Sequence, residues 1–136
     1  MSRYLFGGIL AAFMLTAGAV QAHHSFAAEF DANKPITLKG IVTNVQWTNP
    51  HVWFYINVKD DAGEVVNWGA EMGPPHGLQR SGWRRETLKI GEEVTVVGSR
   101  AKNGSNRMNA RQVTMTSTGG RPGETLDAVS SQGSNP

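Results

Sequence analysis

The four histidines are the residues of this sequence best suited to bind a metal: His23, His24, His51 and His76. Neutral imidazole is a common ligand of transition metals. If the chain is cleaved after Ala22, the new N-terminal residue His23 offers its α-amine and its imidazole Nδ1, which together close a chelate ring. Such a nitrogen pair favours Cu(II). We therefore hypothesise a site for copper or another transition metal at His23, completed by one or more of the other histidines.

Each histidine also has a simpler interpretation. A flexible end with two adjacent histidines binds copper weakly and incidentally, as many peptide amines do. His51 follows Pro50 in a turn, where its ring could bond the backbone instead of a metal. His76 follows two prolines in a loop, where an exposed histidine is ordinary. The sequence leaves these alternatives open.

Two aromatic residues form a second candidate site. In the run from Val52 to Val58, apolar side chains occupy the even positions, so Trp53 and Tyr55 lie on the opposite face of a strand. Aromatic rings on such a face can stack on the rings of a ligand. Trp53 and Tyr55 are therefore predicted to form a ligand face. The alternative is that the N-terminal segment or a helix covers them, since large exposed apolar patches are rare on monomers.

Catalytic motifs are missing from the sequence. It contains no Gly-x-Ser-x-Gly and no His-Glu-x-x-His motif, and it has no cysteine to serve as a nucleophile. The lack of cysteine also excludes disulfides and thiolate metal sites. We expect a binding protein rather than an enzyme.

A bent strand begins the predicted fold. Apolar side chains fall on even positions at Ile36 and Leu38, and on odd positions from Ile41 onward. A change of phase requires one extra residue in a strand, so we predict a β-bulge at Gly40. The turn at residues 48–50 then leads into the second strand.

The remaining elements follow in a recognisable order. A third strand is predicted at residues 65–70, a short helix anchored by Leu78 and Trp83 comes next, and two further strands cover 94–98 and 108–116. This order predicts an all-β fold with one short helix, an OB-fold-like Greek-key barrel of five strands. Its core is predicted to contain the following residues: Val52, Phe54, Ile56, Val66, Val94 and Val96.

The termini are predicted to lie outside this barrel of residues 36–116. Residues 1–22 combine Arg3, an apolar run and a small-residue end, which is typical of a cleaved secretory signal. Residues 23–35 are expected to form an arm that docks through Phe26 and Phe30. Residues 117–136 are rich in Ser, Gly and Pro, which predicts a disordered tail whose removal leaves stability unchanged.

Charge and export limit the expected partners. The chain has 13 basic and 11 acidic side chains, a balance too even to favour binding to nucleic acid. We expect a periplasmic or secreted monomer, not inserted in a membrane after signal removal, that binds a small ligand or an envelope protein.

Several longer segments carry a family resemblance: HHSFAAEFD, KPITLKG, WTNPHVWFYI and LQRSGWRRETLKIGEEVTVVGSRAKNGS. They resemble an uncharacterised family of small exported bacterial proteins, a domain-of-unknown-function family. The resemblance implies one exported β-rich domain and brings no established reaction. Two hypotheses remain, a metal binder that uses the histidines and a metal-free module that binds a glycan, peptide or envelope protein at Trp53 and Tyr55.

Overall fold

The computed structural model describes residues 26–116 and 123–130, so the predicted signal and His23 and His24 lie outside the described residues. The fold is all-β with few short helices, and the predicted helix lies between the third and fourth strands. The elements are β1 (Phe30–Gln46), β2 (Trp53–Lys59), β3 (Val65–Glu71), α1 (Pro75–Arg80), β4 (Glu93–Ala101), β5 (Arg107–Met115) and β6 (Thr125–Asp127). None of the helices in the described ranges is long and apolar enough to cross a membrane.

The first five strands close into a ring. The sheet order is β3-β2-β1-β4-β5-β6, and a further parallel pairing joins β3 to β5 over residues 69–71 and 107–109. All other strand pairs are antiparallel. The ring and the helix between the third and fourth strands agree with the predicted OB-fold-like order.

The predicted bulge exists, but it lies at Thr43 and not at Gly40. Gly40 pairs regularly with Val94 of β4. Opposite β2, the register shifts by one residue between Val42 and Asn44, which leaves Thr43 as the extra residue. The apolar pattern points to Gly40 because Ile41 is apolar and so resembles an inward side chain, whereas it is 40% exposed.

Gly40 has a different role from the one predicted. A Cβ atom built at this position would lie 2.5 Å from the backbone oxygen of Asn57, a separation that real Cβ atoms do not adopt. Glycine is therefore required where β1 crosses closely over β2.

The core fills the inside of the ring. Five of the six predicted core residues are fully buried, and Val66 is half-buried against the same cluster. Leu78 and Trp83 are fully buried, as predicted, and fix α1 and the following loop to the core.

The N-terminal segment is more regular than the predicted arm. Residues 26–29 form one helical turn, and β1 begins at Phe30, six residues before the predicted start at Ile36. Phe26 and Phe30 pack together with ring centroids 5.8 Å apart, and Ala101 completes their cluster. Docking through these two rings is thus confirmed.

The prediction of a disordered tail is wrong for residues 123–130. Thr125–Asp127 form β6, which pairs with β5, and Ala128 is fully buried. The backbone oxygen of Asp127 accepts a hydrogen bond of 2.8 Å from the Trp83 indole. The amino-acid composition does not indicate this strand, because only Leu126, Ala128 and Val129 pack inward and the rest of the segment is polar.

Candidate functional site

A groove lies on the outer side of β2 and β3 and has a volume of about 330 Å³. Its lining comes from the end of β1, from β2 and β3, and from the connection between β4 and β5 together with the first residue of β5. The lining residues are Gln46, Trp53, Tyr55, Asn67, Gly69, Asn106 and Arg107. The predicted ligand face, Trp53 and Tyr55, thus lies within this groove.

Strand register places the two rings over a glycine. Tyr55 is the register partner of Gly69 on β3. A Cβ atom at Gly69 would lie 3.2 Å from Tyr55 Cε1 and 3.6 Å from Trp53 Cζ3. The absence of a side chain at Gly69 therefore lets both rings lie low on the sheet, which forms the floor of the groove.

The two rings differ in how much they are covered. Trp53 packs against the Phe26–Phe30 cluster, and the Arg107 guanidinium lies 4.7 Å from the centroid of its ring. The same guanidinium lies 3.8 Å from Glu29 Oε2. The N-terminal segment thus covers part of Trp53, as the alternative interpretation suggested. Tyr55 is half-buried and lines the groove.

Amide side chains surround Tyr55. Asn67 Nδ2 donates hydrogen bonds to Asn57 Oδ1 at 2.9 Å and to Thr43 Oγ1 at 3.2 Å. The Tyr55 hydroxyl donates to Gln46 Oε1 at 3.5 Å. Each amide both donates and accepts. The groove therefore presents an aromatic ring bordered by side-chain amides and by the Arg107 guanidinium, which together offer a ligand both donors and acceptors.

A buried carboxylate next to the groove was not assigned a role from sequence. His51 Nδ1 lies 2.6 Å from Glu71 Oε1, and Glu71 is 5% exposed. Glu71 is near His76 in sequence, but its partner is His51, because β2 and β3 pair antiparallel with Trp53 opposite Glu71. The sequence signal was Glu71 itself, an acidic residue at the end of an apolar strand.

Burial raises the pKa of Glu71 above its ordinary value of 4.5. The nearby carboxylate of Glu29 adds to this rise, whereas His51 and Arg107 oppose it. The folded chain therefore holds a proton on Glu71 more tightly than the unfolded chain does.

This pKa shift predicts a pH dependence of stability. In the range above pH 4.5, the native state binds more protons at Glu71 than the unfolded state, so the free energy of unfolding should fall as pH rises. Glu71→Gln keeps an oxygen that can accept a hydrogen bond from His51, yet it cannot titrate. We expect the variant to lose this component of the pH dependence. Urea unfolding of both proteins in metal-free buffer across this pH range measures their free energies of unfolding. If the two free energies changed with pH in parallel, the predicted contribution of Glu71 would be contradicted.

The predicted metal ligands are only partly described. His51 is half-buried beside Glu71, and His76 is exposed on α1. Within residues 26–116 and 123–130, no group of three or more His, Asp or Glu side chains is arranged to hold a metal ion. The described residues thus bring Trp53 and Tyr55 together in one groove and give His51 a carboxylate partner.

Comparison with known proteins supplies a family and no activity. No curated protein matches the sequence. One structural match is a crystal structure of the ZRD-deleted mutant of TiaS in complex with agmatine, with 19% identity and a TM-score of 0.47. That match covers 75% of this chain but only 28% of the TiaS chain. A model of a family of unknown function, DUF6152, matches residues 12–110. The chain therefore belongs to the DUF6152 family.

Proposed function

We propose that this chain is an exported binding module without catalytic activity, and that it holds a short glycan of the cell envelope in the groove around Tyr55. The observation that carries the proposal is the lining of the groove, which combines an aromatic ring with the side-chain amides of Gln46, Asn67 and Asn106. Export is supported by the signal-like residues 1–22.

A sugar ring has the chemical features that match this lining. One face of a sugar carries C–H groups that can lie on an aromatic ring, and its edge carries hydroxyl groups that both donate and accept hydrogen bonds. The amides of Gln46 and Asn106 carry both donor and acceptor atoms that can bind such hydroxyl groups, and the Asn67 amide, whose donors bond Asn57 and Thr43, can accept. The volume of about 330 Å³ is at the lower end of the range for ligand sites, so it suits a mono- or disaccharide. Glycan binding on the face of the second and third strands also occurs among OB-folds.

The charge of the groove favours a neutral glycan over a nucleic acid. Arg107 is the one cationic side chain among the lining residues, and it lies beside the carboxylate of Glu29. Affinity for nucleic acid comes largely from several lysines or arginines that contact phosphates. A groove with one partly neutralised cation is a poor match for that requirement.

Calorimetric titration of the processed chain with a soluble peptidoglycan disaccharide tests the proposal. Tyr55→Ala removes the stacking ring and should weaken binding by roughly fivefold or more, since stacking of a ligand ring such as a nucleic-acid base on an aromatic side chain contributes about 1–3 kcal/mol. Tyr55→Phe keeps the ring and should retain most of the affinity. Gln79→Ala, on the exposed face of α1, is a matched control that should bind normally.

The proposal is tested by comparing the disaccharide affinities of the native chain and the variants. Circular dichroism first establishes that each variant is folded. No measurable binding by the native chain would reject the peptidoglycan glycan as ligand, and equal affinity of native and Tyr55→Ala proteins would reject the groove as its site.

A further inference from the structure

We infer that the ligand of the groove is a glycan with an acidic peptide branch, and that a second, smaller pocket beside the groove binds a carboxylate of that branch. The observation that carries this inference is a cavity of about 140 Å³ that shares Arg107 with the groove. The inference rests on the proposed glycan function and adds to it the class of glycan.

The second pocket lies where the N-terminal segment meets the connection between β4 and β5. Its lining residues are Ala28, Glu29, Phe30, Ala101, Lys102, Asn103 and Arg107. Arg107 also lines the groove, so the two cavities adjoin at this side chain. A volume of about 140 Å³ is well below the roughly 300 Å³ at which the range for whole ligand sites begins. The pocket therefore suits a branch of the ligand in the groove and not a second whole ligand.

Backbone pairing fixes the shape of this pocket. The Lys102 backbone N–H donates a hydrogen bond of 2.9 Å to the backbone oxygen of Glu29. Phe30 is the register partner of Ala101, and both residues line the pocket from buried positions. They give the pocket an apolar base. The N-terminal segment and the connection to β5 are thus held together, and the pocket is part of the folded domain.

The rim of the pocket carries more positive than negative charge. Lys102 and Arg107 are cationic, and Glu29 is the one carboxylate among the described residues that line the pocket. The Arg107 guanidinium lies 3.8 Å from Glu29 Oε2, which is longer than a hydrogen bond, so its N–H groups can donate to a ligand. Lys102 Nζ bonds the backbone oxygen of Ala27, and an ammonium group has further donors. Both cations are exposed and can therefore be reached by an anionic group.

Asn103 adds a neutral donor to the same rim. Its Oδ1 accepts a hydrogen bond of 3.0 Å from the Ser105 backbone N–H, so its NH₂ group is the part that can bind a ligand. A carboxylate only accepts hydrogen bonds, and it binds most strongly to charged donors. Such donors around an apolar base match a short peptide with a small side chain and a carboxylate. Peptidoglycan carries acidic peptides of this kind on its sugar rings, which would themselves lie on Tyr55 in the groove.

Calorimetric titration of the processed chain with two matched ligands tests the inference. One ligand is the peptidoglycan disaccharide that bears an alanyl-glutamate dipeptide, and the other is the same compound with both carboxylates converted to amides. We expect the acidic compound to bind about fivefold more tightly, as fits one exposed charge-assisted contact. The difference should shrink as the salt concentration rises, because salt screens exposed charges.

Two variants with opposite changes of charge separate recognition from a structural effect. Lys102→Met keeps the length of the side chain but removes the ammonium group, and should abolish most of the preference for the acidic compound. Glu29→Gln removes the competing carboxylate and should increase that preference. Both variants alter contacts of the N-terminal segment, so a purely structural role would leave the ratio of the two affinities unchanged. Lys89→Met, exposed at the opposite end of β4, is the matched control.

The outcomes for this inference and for the glycan proposal differ. Equal affinities of the native chain for the two compounds, or a preference that Lys102→Met leaves unchanged, would overturn the inference. If both compounds nevertheless bound in a manner that depends on Tyr55, the glycan proposal would stand without it. Failure of the native chain to bind either compound would reject the glycan proposal and this inference with it.

Discussion

Trp83→Ala is expected to lower the free energy of unfolding by about 3–5 kcal/mol, the usual cost of truncating a large buried aromatic residue. Trp83 is fully buried and is the largest side chain in that state. Its truncation leaves a cavity in the core, and it also removes the donor that bonds the backbone oxygen of Asp127 at 2.8 Å. Two costs therefore combine at one position.

Trp83→Phe separates these two costs. Phenylalanine fills most of the space but removes the indole donor to the Asp127 oxygen, a part-buried hydrogen bond, so its loss should be smaller and close to the roughly 0.5–1.5 kcal/mol net contribution of one hydrogen bond. Urea unfolding followed by circular dichroism measures both. A loss below about 1 kcal/mol for Trp83→Ala would contradict the position of this residue in the core.

Truncation after Thr116 is expected to destabilise the chain by at least about 2 kcal/mol, because it removes the burial of Leu126 and Ala128. It also removes β6 from β5, and with it the hydrogen bonds that Ala128 makes to Arg111 and Gly73. The loss of these backbone hydrogen bonds adds to the destabilisation caused by the lost apolar contacts.

A point substitution tests the same segment without shortening the chain. Ala128→Asp places a carboxylate at a fully buried position and should reproduce the loss. Thr125→Ala changes an exposed side chain that bonds Thr114, and should cost no more than about 1 kcal/mol. Thermal unfolding temperatures equal to those of the native chain for both the truncation and Ala128→Asp would show that the segment does not dock.

Local pattern was sufficient to predict the central strands and the ligand face. Alternation from Val52 to Val58 is regular because β2 has one side in the core and one outside, and this alone placed Trp53 and Tyr55 on the outer side. The bulge was harder to locate, since the apolar but exposed Ile41 imitates a core position.

The missed features depend on contacts between distant residues. β6 is three residues long and is held by β5 and by Trp83, which a composition-based interpretation cannot detect. The pairing of His51 with Glu71 follows from the register of β2 and β3, and no spacing rule links residues twenty positions apart in a sheet. The side-chain amides around Tyr55, those of Gln46, Asn67 and Asn106, likewise come from β1, β3 and the connection to β5.

The most direct test of glycan binding in the groove is an amide chemical-shift titration of the ¹⁵N-labelled processed chain with the soluble peptidoglycan disaccharide. We predict that the perturbed backbone and side-chain amides cluster at the groove, with the side-chain NH₂ groups of Gln46, Asn67 and Asn106 among the largest shifts. Amides on α1 should remain unperturbed. Saturable shifts centred elsewhere, or no shifts at millimolar disaccharide, would contradict the proposed site.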